Sequence, residues 1–288
     1  MDPLIVELLS LFTAVCYGAS SVLARKGMRD SNPVTGVIVG TLVQVILLSV
    51  LVVADPPEAF NWTAIGLFIA SGILASTLGR LLNFMSIEKL GVALAATIIG
   101  SSPLFSTLLA ALFLGEQVAL STLLGTVLVV AGIAAARSGG RGMKGIQSSA
   151  LLLPIASATF YGASSVTRKA ALNILPESAF GAVVGALASV VSFGAYLLLT
   201  RRTGDIRLNW EGGKFFIING VVVTLAWLAM FSALTIGKVS VVTALGGTNP
   251  LFSVILSAIL LKDSEELNSR IIFGCLAIVA GAAVITLL

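Results

Sequence analysis

The chain has 288 residues, 57% of them hydrophobic and only 10% charged, with a mean hydropathy of +1.07. A soluble domain carries about 25% charged residues, so this chain cannot cover a water-facing surface and lipid must solvate much of it. Its formal charge of +4 sits in short connections without forming a basic face, and it has no histidine. These features exclude a nucleic-acid binder and remove the commonest metal ligand and general acid/base.

A spanning helix needs about 20 mostly apolar residues. Such runs are predicted over 4–24, 34–54, 62–87, 92–114 and 120–136, and again over 148–166, 178–199, 215–236, 239–261 and 271–288. The start, Met1-Asp2-Pro3-Leu4, is acidic and lacks the basic region of a secretory signal, so the first run is expected to stay as a membrane helix. Ser31-Asn32-Pro33 and Asp55-Pro56-Pro57 are breaker-rich connections. Ser138-Gly139-Gly140-Arg141-Gly142 is the stretch that reads as a linker, dividing the chain into halves at 1–138 and 147–288. Cys16 and Cys275 lie inside apolar runs and read as small buried hydrophobes. Period-two alternation is absent over any useful length, which excludes a membrane β-barrel. The expected fold class is an all-α membrane protein of about ten transmembrane helices.

The halves repeat each other. Tyr17-Gly18-Ala19-Ser20-Ser21-Val22 recurs letter for letter as Tyr161-Gly162-Ala163-Ser164-Ser165-Val166. Gly100-Ser101-Ser102-Pro103-Leu104-Phe105-Ser106 matches Gly247-Thr248-Asn249-Pro250-Leu251-Phe252-Ser253, and Gly125 and Gly132 match Gly274 and Gly281. With five helices per half, the second half must enter the membrane from the opposite side. Two inverted five-helix repeats are a recurrent device of alternating-access transporters.

On these motifs the chain resembles the EamA-type transporters of the drug/metabolite transporter superfamily. The resemblance is carried by the aromatic-Gly-Ala-Ser-Ser segment of each first helix and the Pro-Leu-Phe-Ser core of each fourth helix. Leu114-Gly115-Glu116 at the end of the fourth helix adds to it, with Leu261-Lys262-Asp263 as a looser counterpart. It implies a central cavity lined mainly by the first, third and fourth helices of each half. It also implies a small-molecule substrate and a lipid environment, while the lack of histidine, of mid-membrane acids and of a basic face leads to the expectation of no cofactor or metal, no nucleic acid and no enzymatic activity. The chain would act as a monomer or homodimer in the cell membrane. The family handles amino acids, other metabolites and drugs, so the resemblance names no substrate. A multidrug exporter or a channel are the alternatives.

Inside the membrane, polar residues are few. All acidic residues fall in connections or within about two turns of a helix end, so the buried carboxylate that a proton-coupled exporter of cations needs has no evident residue. Arg80 lies about 12 Å inside the Glu88 end of its run, with Asn83 on the same face. A guanidinium at such depth either snorkels toward the headgroups, with Asn83 satisfied by a neighbouring helix, or faces a cavity, where it grips a carboxylate or phosphate with two prongs. In the repeat, Phe84 aligns with Phe231, so Arg80 aligns with Trp227 and Asn83 with Met230. A polar pair in one half alone suggests an asymmetric solute with one charged end.

Tyr17 and Ser21 with their twins Tyr161 and Ser165, and Ser101 and Ser102 with Thr248 and Asn249, complete the candidate substrate-binding set, to which Trp227 belongs. Hydroxyl residues also let membrane helices pack closely. Pro103 and Pro250 each free a carbonyl one turn earlier. With Gly100 and Gly247 they are the candidate hinges. The expected function is secondary transport of a small metabolite, anionic or zwitterionic, such as an amino acid or organic acid. Counting Arg168, Lys169 and Lys238 as connection residues on the poor side, the positive-inside rule puts both termini outside. The resemblance implies the reverse.

Overall fold

The computed structural model describes residues 3–115, 148–261 and 269–287, with isolated positions between 124 and 135. The run predicted over 120–136 lies largely outside the described residues, as do Glu116, the linker, Lys262 and Asp263. The described residues form helices α1 (Pro3–Gly27) and α2 (Pro33–Ala54), then a third span made of α3 (Trp62–Gly72), a π-helical segment (Ile73–Gly79) and α4 (Arg80–Leu90). A fourth span comprises α5 (Val92–Ile99) and α6 (Ser102–Leu114). The second half holds α7 (Leu152–Ile174), α8 (Ser178–Leu199), α9 (Trp210–Ile236), α10 (Val239–Gly246), α11 (Asn249–Leu260) and α12 (Ser269–Leu287). Among the described residues there is no strand, and 7 helices are long and apolar enough to cross a membrane. Asn249–Leu260 and Ser269–Gly281 are shorter apolar helices.

Helix starts follow local chemistry. Asn32, Asn61 and Asn209 each cap a helix by accepting a backbone N–H, from Thr35, Ala64 and Glu211 respectively. Pro33 stands in the first turn of α2, where its missing N–H costs nothing.

One helix departs from expectation. The sixth predicted run stops at Val166, before Thr167-Arg168-Lys169, yet α7 continues to Ile174. Both cations find hydrogen-bond acceptors inside the protein. Lys169 Nζ donates to the Leu234 carbonyl at 2.7 Å, and Arg168 is held by hydroxyls and aromatic rings at the centre of the bundle. Arg168 is therefore not a connection residue, and the charge count behind the orientation must omit it.

The two halves interlock through matched contacts. α1 packs on α9 and α11, and α7 packs on α3 and α6. A Cβ on Gly18 would stand 2.5 Å from Phe252 Cβ, and one on Gly162 would stand 2.8 Å from Phe105 Cβ. Only glycine lets each first helix approach the fourth span of the other half so closely. Likewise Asn219 Nδ2 on α9 donates to the Ser20 carbonyl at 2.7 Å and to Ser20 Oγ at 2.8 Å. Its counterpart is Ser71 on α3, whose carbonyl accepts from Ser164 Oγ at 2.8 Å.

The third spans differ by one residue. Phe68 packs at Gly181 as Phe216 packs at Gly36, which pairs Phe68 with Phe216 and Ser71 with Asn219. Further on, Phe84 pairs with Phe231, so the first half carries one extra residue between these marks. The π-helical segment Ile73–Gly79 lies in that interval. A π turn accommodates one added residue without rotating the remainder of the helix, which returns Phe84 and Arg80 to register with Phe231 and Trp227.

Connections meet at two opposite ends. Ser31 Oγ donates to the Arg207 carbonyl at 2.9 Å and Asn32 Nδ2 to the Asp205 carbonyl at 2.6 Å, joining the α1–α2 and α8–α9 connections. At the other end Phe60 meets Phe180 edge to face, with centroids 5.6 Å apart.

Candidate functional site

A cavity of about 90 Å³ lies between the halves. It is lined from α1, the third span, α5 and α6 in the first half, and from α7, α9, α10 and α11 in the second. α2 and α8 contribute no lining. Its walls carry Tyr17, Ser21, Arg80, Asn83, Ser102, Tyr161, Ser165, Trp227 and Asn249 from the sequence-derived set, and Gly247 from the hinges. Ser101 and Thr248 are not in the lining, nor are Gly100, Pro103 and Pro250.

Arg80 is 5% exposed. Its Nη1 donates to Thr41 Oγ1 and its Nη2 to Gln44 Oε1, each at 3.0 Å. Both partners belong to α2, which fixes the guanidinium from behind while Arg80 lines the cavity. A guanidinium has five N–H donors, so two hydrogen bonds leave donors for a solute. Asn83 Nδ2 donates to the Tyr161 hydroxyl at 3.4 Å. The repeat-related pair is Met230 with Tyr17, whose hydroxyl donates to the Met230 sulfur at 3.7 Å.

The structure adds a second cation. Arg168 is 2% exposed and also lines the cavity. Its Nε donates to Ser71 Oγ and its Nη2 to Ser164 Oγ, each at 3.3 Å. The guanidinium carbon lies 4.8 Å from the Trp227 ring centroid and 4.3 Å from that of Phe231. Both distances are within cation–π range. The polarity of the site is thus not confined to one half. A signal for Arg168 exists in the sequence, since it follows Tyr161 and Ser164 at helical spacing on one face. Its adjacency to Lys169 makes it look like a helix end. Thr41 and Gln44 carry no such signal.

Neither arginine has an acidic partner among the described residues; the ion pairs Arg202–Asp205 and Lys214–Glu211 lie in and beside the α8–α9 connection, away from the cavity. Two cations therefore line one cavity with no acidic partner among the described residues, in a region where each costs at least a few kcal/mol.

The fourth spans break where the prolines require it. Pro103 lacks the N–H that would reach Ile99, and α5 ends at Ile99. Gly100 and Ser101 then run with ψ near zero, and Ser101 Oγ donates to the Ile98 carbonyl at 2.7 Å. In the second half Thr248 Oγ1 donates to the Leu245 carbonyl at 2.7 Å. Asn249 Nδ2 donates at 3.2 Å to the Gly246 carbonyl, the one Pro250 leaves free. Ser101 and Thr248 therefore turn their hydroxyls back onto the Ile98 and Leu245 carbonyls, which also accept their own backbone N–H groups. A Cβ on Gly100 would stand 2.5 Å from Pro250 Cγ, so the two breaks lie against each other.

A bundle of long apolar helices with a polar cavity at its centre defines a multi-pass membrane protein. The EamA-like transporter family model matches residues 4–137 and 148–287, and the chain belongs to that family. It is 24% identical over 274 residues to an uncharacterized transporter of Archaeoglobus fulgidus, covering 94% of each chain. It is 23% identical over 284 residues to the uncharacterized transporter YvbV of Bacillus subtilis, covering 96% of this chain and 90% of the relative. A solved crystal structure shares its fold with a TM-score of 0.73 at 18% identity, over 98% of this chain and 96% of the other. The protein is a membrane transporter by family, and the cell membrane agrees with these relatives.

Proposed function

We propose that the protein is a secondary transporter moving a small anionic or zwitterionic metabolite by alternating access. Its two five-helix halves, 1–138 and 147–288, would form an inverted repeat of ten spans. The observation that carries the substrate class is Arg80, buried, fixed from behind by Thr41 and Gln44, and without an acidic partner among the described residues. A solute carboxylate supplies the missing charge and takes the remaining donors. The inverted arrangement is supported by the connections. The α1–α2 and α8–α9 connections share one end and Phe60 meets Phe180 at the other, an arrangement that fits α1 and α7 running in opposite directions. Exchanging the conformations of two such halves opens the cavity alternately to either side.

A cationic multidrug exporter fits less well, because a cationic solute would meet two fixed guanidiniums. A catalytic role has no support from the cavity, where the described lining residues include no acid, histidine or cysteine.

The test is uptake and counterflow of anionic and zwitterionic metabolites in proteoliposomes, with wild type beside Arg80→Gln and Arg80→Lys at matched incorporation. Loss of a charge-assisted hydrogen bond is worth about 1.5–3 kcal/mol, or about 10–150-fold in affinity. Arg80→Gln should lose uptake on that scale, and Arg80→Lys should recover little, because a point charge cannot reproduce a planar fork. Unchanged uptake in both variants sinks the anion reading. Flux that never saturates and shows no counterflow would instead make the protein a channel.

A further inference from the structure

We infer that Arg168 and Arg80 form a two-cation site, and that the solute it takes is a small dianion. This rests on the reading of the cavity as an anion site and narrows its substrate class.

Three observations carry it. First, both guanidiniums line one cavity, and neither has an acidic partner among the described residues. Second, each is anchored from behind in a way that leaves donors over. Arg80 is held by α2, whereas Arg168 is held by Ser71, by Ser164 and by the rings of Trp227 and Phe231.

Third, the two groups meet at similar depth. Thr41, which Arg80 grips, lies about 12 Å into α2 from its Pro33 end at 1.5 Å per residue. Ser164, which Arg168 grips, lies about 15 Å from the Ile174 end of α7. Those helix ends sit at opposite faces of the bundle, by the Asn32–Asp205 and Phe60–Phe180 contacts. In a hydrocarbon core of about 30 Å both guanidiniums therefore fall in the middle layer. A monoanion would leave one of the two buried cations that line this cavity unmatched. A dianion matches both, and the Tyr17 and Tyr161 hydroxyls in the same wall can complete its hydrogen bonds.

Two chemistries supply a compact dianion, a short dicarboxylate and a phosphate. Binding to the purified protein separates them, with succinate, inorganic phosphate, butyrate and the zwitterion alanine as probes at pH 8. Stabilisation against thermal unfolding and calorimetry both report the bound state. Wild type should prefer succinate or phosphate to butyrate by about tenfold or more, and whichever of the two binds identifies the source. Arg168→Gln should bring the dianion down to the butyrate level while leaving butyrate affinity nearly unchanged. Arg168→Lys, which keeps the charge, should retain part of the preference, and it stands in if Arg168→Gln does not yield folded protein. Equal affinity of wild type for butyrate or alanine and for the dianions overturns the inference while leaving the anion or zwitterion transporter intact. A dianion preference that survives in Arg168→Gln overturns it as well, and makes Arg168 a packing residue. Failure of all four probes to bind overturns both readings.

Discussion

Trp227 presents its ring to the Arg168 guanidinium at 4.8 Å and stands in the second half where Arg80 stands in the first. One position of the twofold scaffold thus serves a cation in both halves, by carrying it in one and by supporting it in the other. The asymmetry expected from sequence, a polar residue facing an aromatic twin, becomes a pair of arginines anchored by different means. An aromatic face within about 6 Å stabilises a desolvated guanidinium by about 2 kcal/mol. A double-mutant cycle with Trp227→Leu and Arg168→Gln should return a coupling of about 1–2 kcal/mol in thermal or denaturant unfolding. Trp227→Phe should retain most of it. Additive losses would mean that the ring and the guanidinium merely sit near each other.

Close packing between the halves gives a second expectation. Alanine at Gly18 or Gly162 places a Cβ 2.5–2.8 Å from the Cβ of Phe252 or Phe105, and the backbone of Ser253 or Ser106 lies close behind. Overpacking of this kind costs about 1–3 kcal/mol. Gly194 has nothing within 4 Å of its would-be Cβ, so Gly194→Ala is the control and should not destabilise. Melting curves in one detergent decide it, and equal midpoints for all three variants would mean that the halves separate more readily than their contacts indicate.

The arrangement of the connections can be checked from outside. In a chain with Cys16 and Cys275 replaced by Ala, single cysteines at Asp30 and Thr203 should react with an impermeant thiol reagent from one side of the membrane. Cysteines at Glu58 and Asn173 should react from the other. Asp30, Thr203, Glu58 and Asn173 are all exposed, which makes them accessible reporters. Labelling of Asp30→Cys and Thr203→Cys from opposite sides would rule out inverted halves.

Much of this is legible in the residues, and the reasons differ by feature. Long apolar runs declare spans because the bilayer requires about 20 residues of hydrocarbon-compatible chain. Tyr17, Ser21, Tyr161 and Ser165 stand out through exact duplication, and they do line the cavity. Arg80 stands out as a charge inside an apolar run. Arg168 does not, because its depth depends on α7 continuing through Lys169, which the Leu234 carbonyl makes possible from another helix. Thr41 and Gln44 are ordinary polar residues of a second helix, and only the fold brings them behind Arg80. The π-helical segment is visible in sequence solely as a one-residue difference between the repeats, which acquires meaning once Phe68 and Phe216 are seen in matched pockets. Tertiary partners set these features, and no local pattern encodes them.

The broken fourth spans support the most specific prediction. Pro250 leaves the Gly246 carbonyl without its helical donor, and Asn249 Nδ2 takes that place at 3.2 Å. Asn249→Ala alone should therefore destabilise the protein by about 1 kcal/mol, the net worth of one such bond. Pro250→Ala restores the backbone N–H, so in the double variant the Asn249→Ala loss should vanish. Pro103→Ala likewise returns a donor that can reach the Ile99 carbonyl and join α5 to α6, so this variant should melt at or above the wild-type temperature. Transport should move the other way. If the breaks let each fourth span flex beside the cavity, then straightening them holds the halves in one conformation, and counterflow should fall by about tenfold or more in Pro103→Ala. The measurement pairs melting temperature with counterflow on the same preparations. Straightened variants that are more stable yet exchange solute at the wild-type rate would show that the breaks shape the cavity wall without acting as hinges.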